Sequence, residues 1–330
     1  MGEITVSVLC TAYNHEKYIR KCLEGFVQQK TNFAYEVLVN DDASTDATPS
    51  IIREFEMTYP DIIKPLYQSD NLYSKGVKIT RDILFPKSQG KYIAICEGDD
   101  YWIDPYKLQK QVDALEKNQD CSMCVCKVKI ISEDETRVEG YYPDFLLDEG
   151  VITSKAFLNI VLKKNAFQTS SYMLRADLYR CYAKHTPEFV NVCPVGDVTY
   201  LLYFGYAGNV YYFEDIMSCY RRYAIGGWSE KTWSDSNRIR RHFKGMVKTY
   251  ESFDRFTGGK YHSQCNQAVF GANYFAAVDS KDFMKLLLDK EHTFFRQSPK
   301  MKIKILLGAF CNPLLKLYYV ITKRIQRSNM

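Results

Sequence analysis

Lys91-Tyr92-Ile93-Ala94-Ile95-Cys96-Glu97-Gly98-Asp99-Asp100-Tyr101-Trp102 is the stretch that decides the fold. Its first half is a short, continuous apolar run, the pattern of a strand buried on both faces. The run ends abruptly on Glu97, Asp99 and Asp100. Adjacent carboxylates at the end of a buried strand are costly unless a cation or hydrogen-bond donors meet them. A hard divalent ion such as Mg²⁺ or Mn²⁺ prefers oxygen ligands, and one or two carboxylates hold it when diphosphate oxygens complete its shell. Gly98 lets a ligand approach the backbone closely. Taken alone, the stretch equally fits an acidic surface turn, so its neighbours decide.

Upstream, strand-like and helix-like patterns alternate. Val6–Cys10 is an apolar run ending at Thr11-Ala12-Tyr13-Asn14, and His15–Gln29 carries a helical apolar stripe. Tyr35–Val39 is a second strand, closed by Asn40-Asp41-Asp42. Ser44 or Thr45 is expected to cap the next helix, which runs to about Tyr59. Ile62–Tyr67 reads as a third strand and Val77–Leu84 as a weak helix. Downstream, a helix follows Pro105, and Ser122–Ile131 is a strand. This alternation predicts an α/β fold, a parallel sheet covered by helices. Ligands of such sheets bind at the carboxyl ends of the strands. Thr11, Tyr13, Asp41, Asp42, Asp99 and Asp100 are expected to converge there. Beyond Gly150 the pattern is less regular, with helices expected at Ala156–Val161, Ala176–Ala183 and Val198–Phe204, a strand at Val210–Phe213, and mostly helix from 236.

Composition bounds the class. With 330 residues, 46% hydrophobic and 25% charged, the chain has room for one large α/β domain with an appendage, and nothing in it looks disordered or fibrous. The net charge of +5 does not require a nucleic-acid partner. The positive excess lies in the C-terminal third, at Arg238, Arg240, Arg241, Lys244 and Lys248, then from Lys300 to Arg327. Eleven cysteines at irregular spacings, and an N-terminus without a signal-peptide pattern, favour a reducing cytoplasm. Cys121, Cys124 and Cys126 have no second Cys/His pair at ligand spacing, so buried strand thiols are expected there in preference to zinc.

Three segments, Val6–Asn14, Val37–Asp46 and Tyr92–Pro105, together resemble family 2 glycosyltransferases of the GT-A fold. The resemblance covers about the first 130 residues, and three motifs in order are far more specific than one. It implies a GT-A, Rossmann-like mixed sheet flanked by helices with a mainly helical C-terminal extension. The implied domains are a catalytic domain over 1–235 (nucleotide-sugar half 1–130, acceptor half 131–235) and a helical region over 236–330. It also implies that Thr11, Tyr13 and Asp42 contact the nucleotide base, with Asp99 near the ribose and Asp100 on a Mn²⁺ or Mg²⁺ ion; Ala12, Asn14 and Asp41 are further candidates for the donor site. Glu97 is left unassigned.

Val195-Gly196-Asp197-Val198 looks like the family's acceptor-side motif, which makes Asp197 the general base of an inverting transfer; on its own it would read as a helix N-cap. Either reading places Asp197 at a helix N-terminus, which is expected to lower its pKa. Arg221 and Arg222 are candidates for the leaving diphosphate, and Gly226-Gly227 for a loop over the donor. Tyr223 stands where relatives often carry His.

The implied reaction moves a hexosyl or N-acetylhexosaminyl unit from a nucleotide-diphosphate donor, UDP by expectation, to a hydroxyl of a glycan or lipid-linked glycan. The destination implied by bacterial relatives is cell-surface polysaccharide. A nucleotidyltransferase is the alternative enzyme, but Thr11–His15 lacks the Gly-rich basic loop it needs. A catalytically silent nucleotide-sugar-binding protein is the other, opposed by the retained Asp42, Asp99, Asp100 and Asp197. Finally, Lys302–Ile321 is apolar but interrupted, too short to span a bilayer. It is expected either to lie on the inner face of the cell membrane, using basic residues of 300–327, or to pack on the catalytic domain.

Overall fold

A computed structural model describes residues 3–164, 166–225, 227–280, 283–287 and 293–310. The chain divides into two compact units, one built from residues up to Thr186 with Asp197–Glu230, the other from Pro187–Gly196 with the chain from Lys231.

The first unit is built on one mixed sheet. Its strands are β1 (Ile4–Ala12), β2 (Ala34–Asp41), β3 (Ile63–Tyr67), β4 (Tyr92–Ile95), β5 (Tyr101–Trp102), β6 (Cys121–Ile131), β7 (Val138–Tyr142), β8 (Gly150–Ile152), β9 (Met173–Arg175) and β10 (Asn209–Arg221). The spatial order is β3-β2-β1-β4-β9-β6-β10-β5, with β7 on β6 and β8 on β10. The four strands of the N-terminal alternation are parallel. The short β9 then runs antiparallel between β4 and β6, and β6 pairs in parallel with β10.

The helices are α1 (Ile19–Val27), α2 (Thr48–Thr58), α3 (Lys107–Lys117), α4 (Ser154–Lys163), α5 (Ala176–Lys184), α6 (Glu188–Val192), α7 (Gly196–Ala207), α8 (Trp228–Trp233), α9 (Ser236–Phe256), α10 (His262–Ser280), α11 (Met284–Leu287) and α12 (Pro299–Phe310). Strand alternation sends Val6, Val8 and Cys10, Val37 and Val39, and Tyr92, Ala94 and Cys96 into one core. The stripes Ile19, Cys22, Leu23 and Phe26 of α1, and Leu108, Val112 and Leu115 of α3, belong to the same core. Cys121, Cys124 and Cys126 are buried free thiols on β6 in that core.

Some local expectations are corrected. Ser44 and Thr45 do not cap α2. The Asp46 carboxylate accepts the Thr48 amide at 2.9 Å instead. The Ser44 hydroxyl accepts the Asn14 amide and the Asn14 side-chain carbonyl accepts the Thr45 amide, because Asn14, at φ 55°, faces the neighbouring turn. Val77–Leu84, read as a weak helix, is helical from Ile79 to Leu84 as a π-helical turn, with 3₁₀ turns before it at Tyr73–Lys75 and after it at Phe85–Lys87. The strand expected at Val210–Phe213 continues to Arg221, carried along β6 by parallel pairing.

In the second unit, α6 packs on α9. Phe189 lies 5.3 Å from the rings of both Phe253 and Phe256, and Glu188 accepts from Ser252 and Arg255. Among the described residues, no helix is long and apolar enough to cross a membrane. The part of the predicted interfacial stretch beyond Phe310, with Lys316, Lys323, Arg324 and Arg327, lies outside the described residues.

Candidate active site

Strand register brings the sequence motifs together at one edge of the sheet. Thr11 pairs with Asn40 and Ala12 with Asp41 at the ends of β1 and β2. The Ala12 carbonyl accepts the Asp42 amide, and the Thr11 carbonyl accepts the Gly98 amide, both at 2.9 Å. Three segments separated by tens of residues are thus tied by main-chain bonds, whatever their side chains do. A Cβ at Gly98 would stand 3.0 Å from His15 Nδ1 and 3.2 Å from the Thr11 carbonyl, so a larger residue would press the acidic turn away from β1.

Within this frame the carboxylates have different employments. Asp42 is buried, and its oxygens accept the amides of Leu72 at 2.9 Å and Tyr73 at 3.0 Å, which ties the loop after β3 to the site. Asp41 is also buried; its Oδ1 has no hydrogen-bond partner, and burial raises its pKa. Asp100 is buried with both oxygens engaged. Oδ2 accepts from Gln168 Nε2 at 2.7 Å and Oδ1 from the Arg221 amide at 2.9 Å. Burial, then the charges of Asp99 and Glu97, nevertheless push its pKa well up. Asp99 is only half-buried, and among the described residues its carboxylate makes no hydrogen bond or ion pair.

Glu97 Oε2 is buried without a partner. Burial, with the negative charges of Asp99 and Asp197, raises its pKa to about 8. Asp197 starts α7, and its Oδ1 accepts the Val198 amide at 2.8 Å. The expected lowering by the helix N-terminus does not prevail: burial outweighs the backbone donors and the pKa is raised. Asp197 also acts through its charge on Glu97 and on the buried Tyr172, which brings the acceptor-side motif to the acidic turn.

Arg221 sits behind the turn. Its guanidinium is buried, donates to the Asp99 carbonyl at 3.0 Å and the Glu133 carbonyl at 3.2 Å, and pairs with Glu135 at 2.9 Å. It lies 4.6 Å from the centre of the Tyr18 ring. Its donors are therefore taken up within the chain, and it braces Asp99 and Asp100. Arg222 pairs with Glu139 at 3.3 Å. Tyr13 and Tyr223 are exposed, the latter at φ 58°, and Ile225 donates its amide to the Tyr18 hydroxyl at 3.2 Å. A Cβ at Gly227 would lie 3.5 Å from Asp99 Oδ2, so the following loop passes over that carboxylate.

Sequence reasoning missed Gln168, Thr169 and Ser170. They form a buried polar run that holds Asp100 and receives the Trp102 indole N–H at the Ser170 carbonyl. Four consecutive polar residues, Gln168 to Ser171, look like a surface loop in sequence; their burial follows from the placement of β9.

The model of the family described as "Glycosyl transferase family 2" matches residues 7–179. The chain belongs to glycosyl transferase family 2. An uncharacterized relative in Mycobacterium tuberculosis, Rv1520, is 33% identical over 252 residues, covering 75% of this chain and 67% of that protein. Among solved structures, Staphylococcus aureus TarS 1–349 in complex with UDP-GlcNAc superposes with a TM-score of 0.58 at 15% identity over 92% of this chain and 87% of that one. The mannosyltransferase PcManGT from Pyrobaculum calidifontis, in complex with GDP-Man and Mn²⁺, gives 0.52 at 16% over 93% and 86%. The fold is thus the GT-A fold, the mixed sheet flanked by helices that the three motifs implied.

Whether a divalent ion suits this family 2 site turns on its donors. Among the described residues no three His, Cys, Asp or Glu side chains converge to hold a metal. The described residues therefore provide no complete cage. The unpaired Asp99 carboxylate, beside a buried and partnerless Glu97 oxygen, fits an ion that shares its shell with ligand oxygens.

Proposed function

We propose that this family 2 protein is an inverting transferase moving a hexosyl or N-acetylhexosaminyl unit from a UDP-sugar to a hydroxyl of a glycan or lipid-linked glycan. The observation that carries this is the grouping of Glu97, Asp99, Asp100 and Asp197 at the carboxyl edge of the sheet, where burial and the neighbouring carboxylates raise the pKa values of Glu97 and Asp100. Binding of UDP-GlcNAc by TarS and of GDP-Man by PcManGT agrees with a nucleotide-sugar donor in the same fold.

The nucleoside is assigned to the β1 and β2 ends. Thr11, Ala12 and the exposed Tyr13 supply backbone and ring, and the partnerless Asp41 Oδ1 is a free acceptor for a base N–H. Asn14 and Asp42 serve by holding the surrounding loops, given their existing bonds. A bound Mn²⁺ or Mg²⁺ would neutralise charge on the leaving diphosphate. The sequence expectation put this ion on Asp100; the geometry favours Asp99 as the ligating carboxylate, with Asp100 fixing the turn. Arg221 then acts as a positioning residue, while Arg222, at the surface, keeps its proposed role towards phosphate.

Asp197 is the proposed base. As the acceptor oxygen bonds to the anomeric carbon, the bond from that carbon to the diphosphate oxygen breaks and the acceptor proton passes to Asp197. Burial makes Asp197 a stronger base than a solvated aspartate. The setting proposed for the reaction is the cytoplasmic face of the membrane, serving synthesis of a cell-surface polysaccharide. Calorimetry with UDP with and without Mn²⁺, followed by a donor screen for hydrolysis and transfer, tests the reading. Metal-dependent UDP binding supports it, and absence of binding to any nucleoside diphosphate overturns it.

A further inference from the structure

Helix α12 has two apolar faces, and among the described residues only one of them is covered. Ile305 and Gly308 are buried, and a Cβ at Gly308 would come within 2.5 Å of the Phe283 ring, so this face packs tightly in the second unit. On the other side Ile303 is 50% exposed, Leu306 41% and Phe310 71%. Their spacing of three and four residues puts them in one stripe along the helix. Lys300 and Lys302 flank the stripe on either side when the helix is viewed down its axis.

Charge says what covers that stripe. The second unit carries nineteen Lys and Arg against eight Asp and Glu, a net of +11, while the remainder of the chain is at −6. The twenty residues after Phe310 add four of those positive charges and no acid, interleaved with Leu314, Leu315 and Leu317. A second copy of the chain would bring two units of +11 together. A nucleic acid would answer the charge and leave the apolar stripe in water. An anionic bilayer answers both, since lysine stems lie along apolar surface while their ammonium groups reach the headgroups.

We infer that the outer face of α12 docks this protein peripherally on an anionic lipid bilayer, with Ile303, Leu306 and Phe310 entering the interface and Lys300 and Lys302 on the headgroups. This goes beyond the transferase reading and does not depend on it.

Co-sedimentation of the full chain with vesicles tests it, using phosphatidylcholine alone and phosphatidylcholine mixed with phosphatidylglycerol, at low and high salt. The protein is expected to pellet with the phosphatidylglycerol vesicles and to be released by salt. Lys300→Gln with Lys302→Gln should lower partitioning about thirtyfold. Ile303→Ser, Leu306→Ser and Phe310→Ser together should abolish it, with the circular dichroism and UDP affinity of each variant unchanged. Equal binding to neutral vesicles, no binding to either, or undiminished binding by the folded serine variant overturns the inference. So does a wild-type dimer in light scattering that the serine variant dissociates while neither binds vesicles.

Discussion

Replacing Arg221 by lysine separates two employments for one charge. If Arg221 grips the leaving diphosphate, Arg221→Lys weakens donor binding and leaves the ligand-free protein as stable as before. The observed geometry predicts the reverse order of effects. Two donations, to the Asp99 and Glu133 carbonyls at 3.0 and 3.2 Å, are lost together, and one ion pair to Glu135 at 2.9 Å is retained at best. Hydrogen bonds from a charged donor contribute about 1.5–3 kcal/mol each, and a single ammonium recovers part of that loss. The ligand-free unit should therefore be destabilised by about 3 kcal/mol. Urea unfolding of wild type and variant without ligand gives this number. Calorimetry with UDP and with uridine then reads the second consequence: a slackened Asp99–Asp100 turn lowers UDP affinity through its metal-dependent part. A variant within about 0.5 kcal/mol of wild type that loses UDP affinity equally with and without Mn²⁺ would refute the bracing role.

Three further outcomes follow from the site. Asp99→Asn should remove most of the Mn²⁺-dependent gain in UDP affinity at little cost in stability, whereas Asp100→Asn, which disturbs the bonds to Gln168 and Arg221, should also lower the urea midpoint. Asp197→Asn should retain UDP binding and lose transfer by at least about a hundredfold. Because burial raises the Asp197 pKa and the base works ionised, kcat/KM should fall on the acid side at a pH above the ordinary aspartate range. Glu97 is shifted in the same direction as Asp197, with a consequence for stability. Its folded-state pKa of about 8 stands above the unfolded value, so its favourable contribution is present below about pH 4.5 and is lost as pH rises towards 8. Between those limits Glu97→Gln should gain on wild type by up to about 1.4 kcal/mol per pH unit in urea unfolding without ligand; parallel pH profiles would count against the raised pKa of Glu97.

The sequence by itself determined the alternation of β1 to β4 with helices, because apolar runs of strand length and helical stripes are local patterns that tertiary context only trims. It also marked the convergence of Thr11, Tyr13, Asp41, Asp42, Asp99 and Asp100, since parallel strands covered by helices align their carboxyl ends. What the sequence could not contain was the division of labour among the charged groups found there. The motif put the metal on Asp100 and the ribose beside Asp99; their environments differ in another way, because Gln168, before β9, meets one oxygen of Asp100 and the Arg221 amide of β10 meets the other. Arg221 reads as a phosphate ligand until the turn at Glu133–Glu135 is seen to take up its donors. Asp197 reads as a helix cap with a lowered pKa until burial, a property of the whole fold, reverses the sign. Backbone geometry follows local sequence, whereas desolvation and charge pairing depend on which distant residues fill the space around a group, and those only the tertiary structure decided.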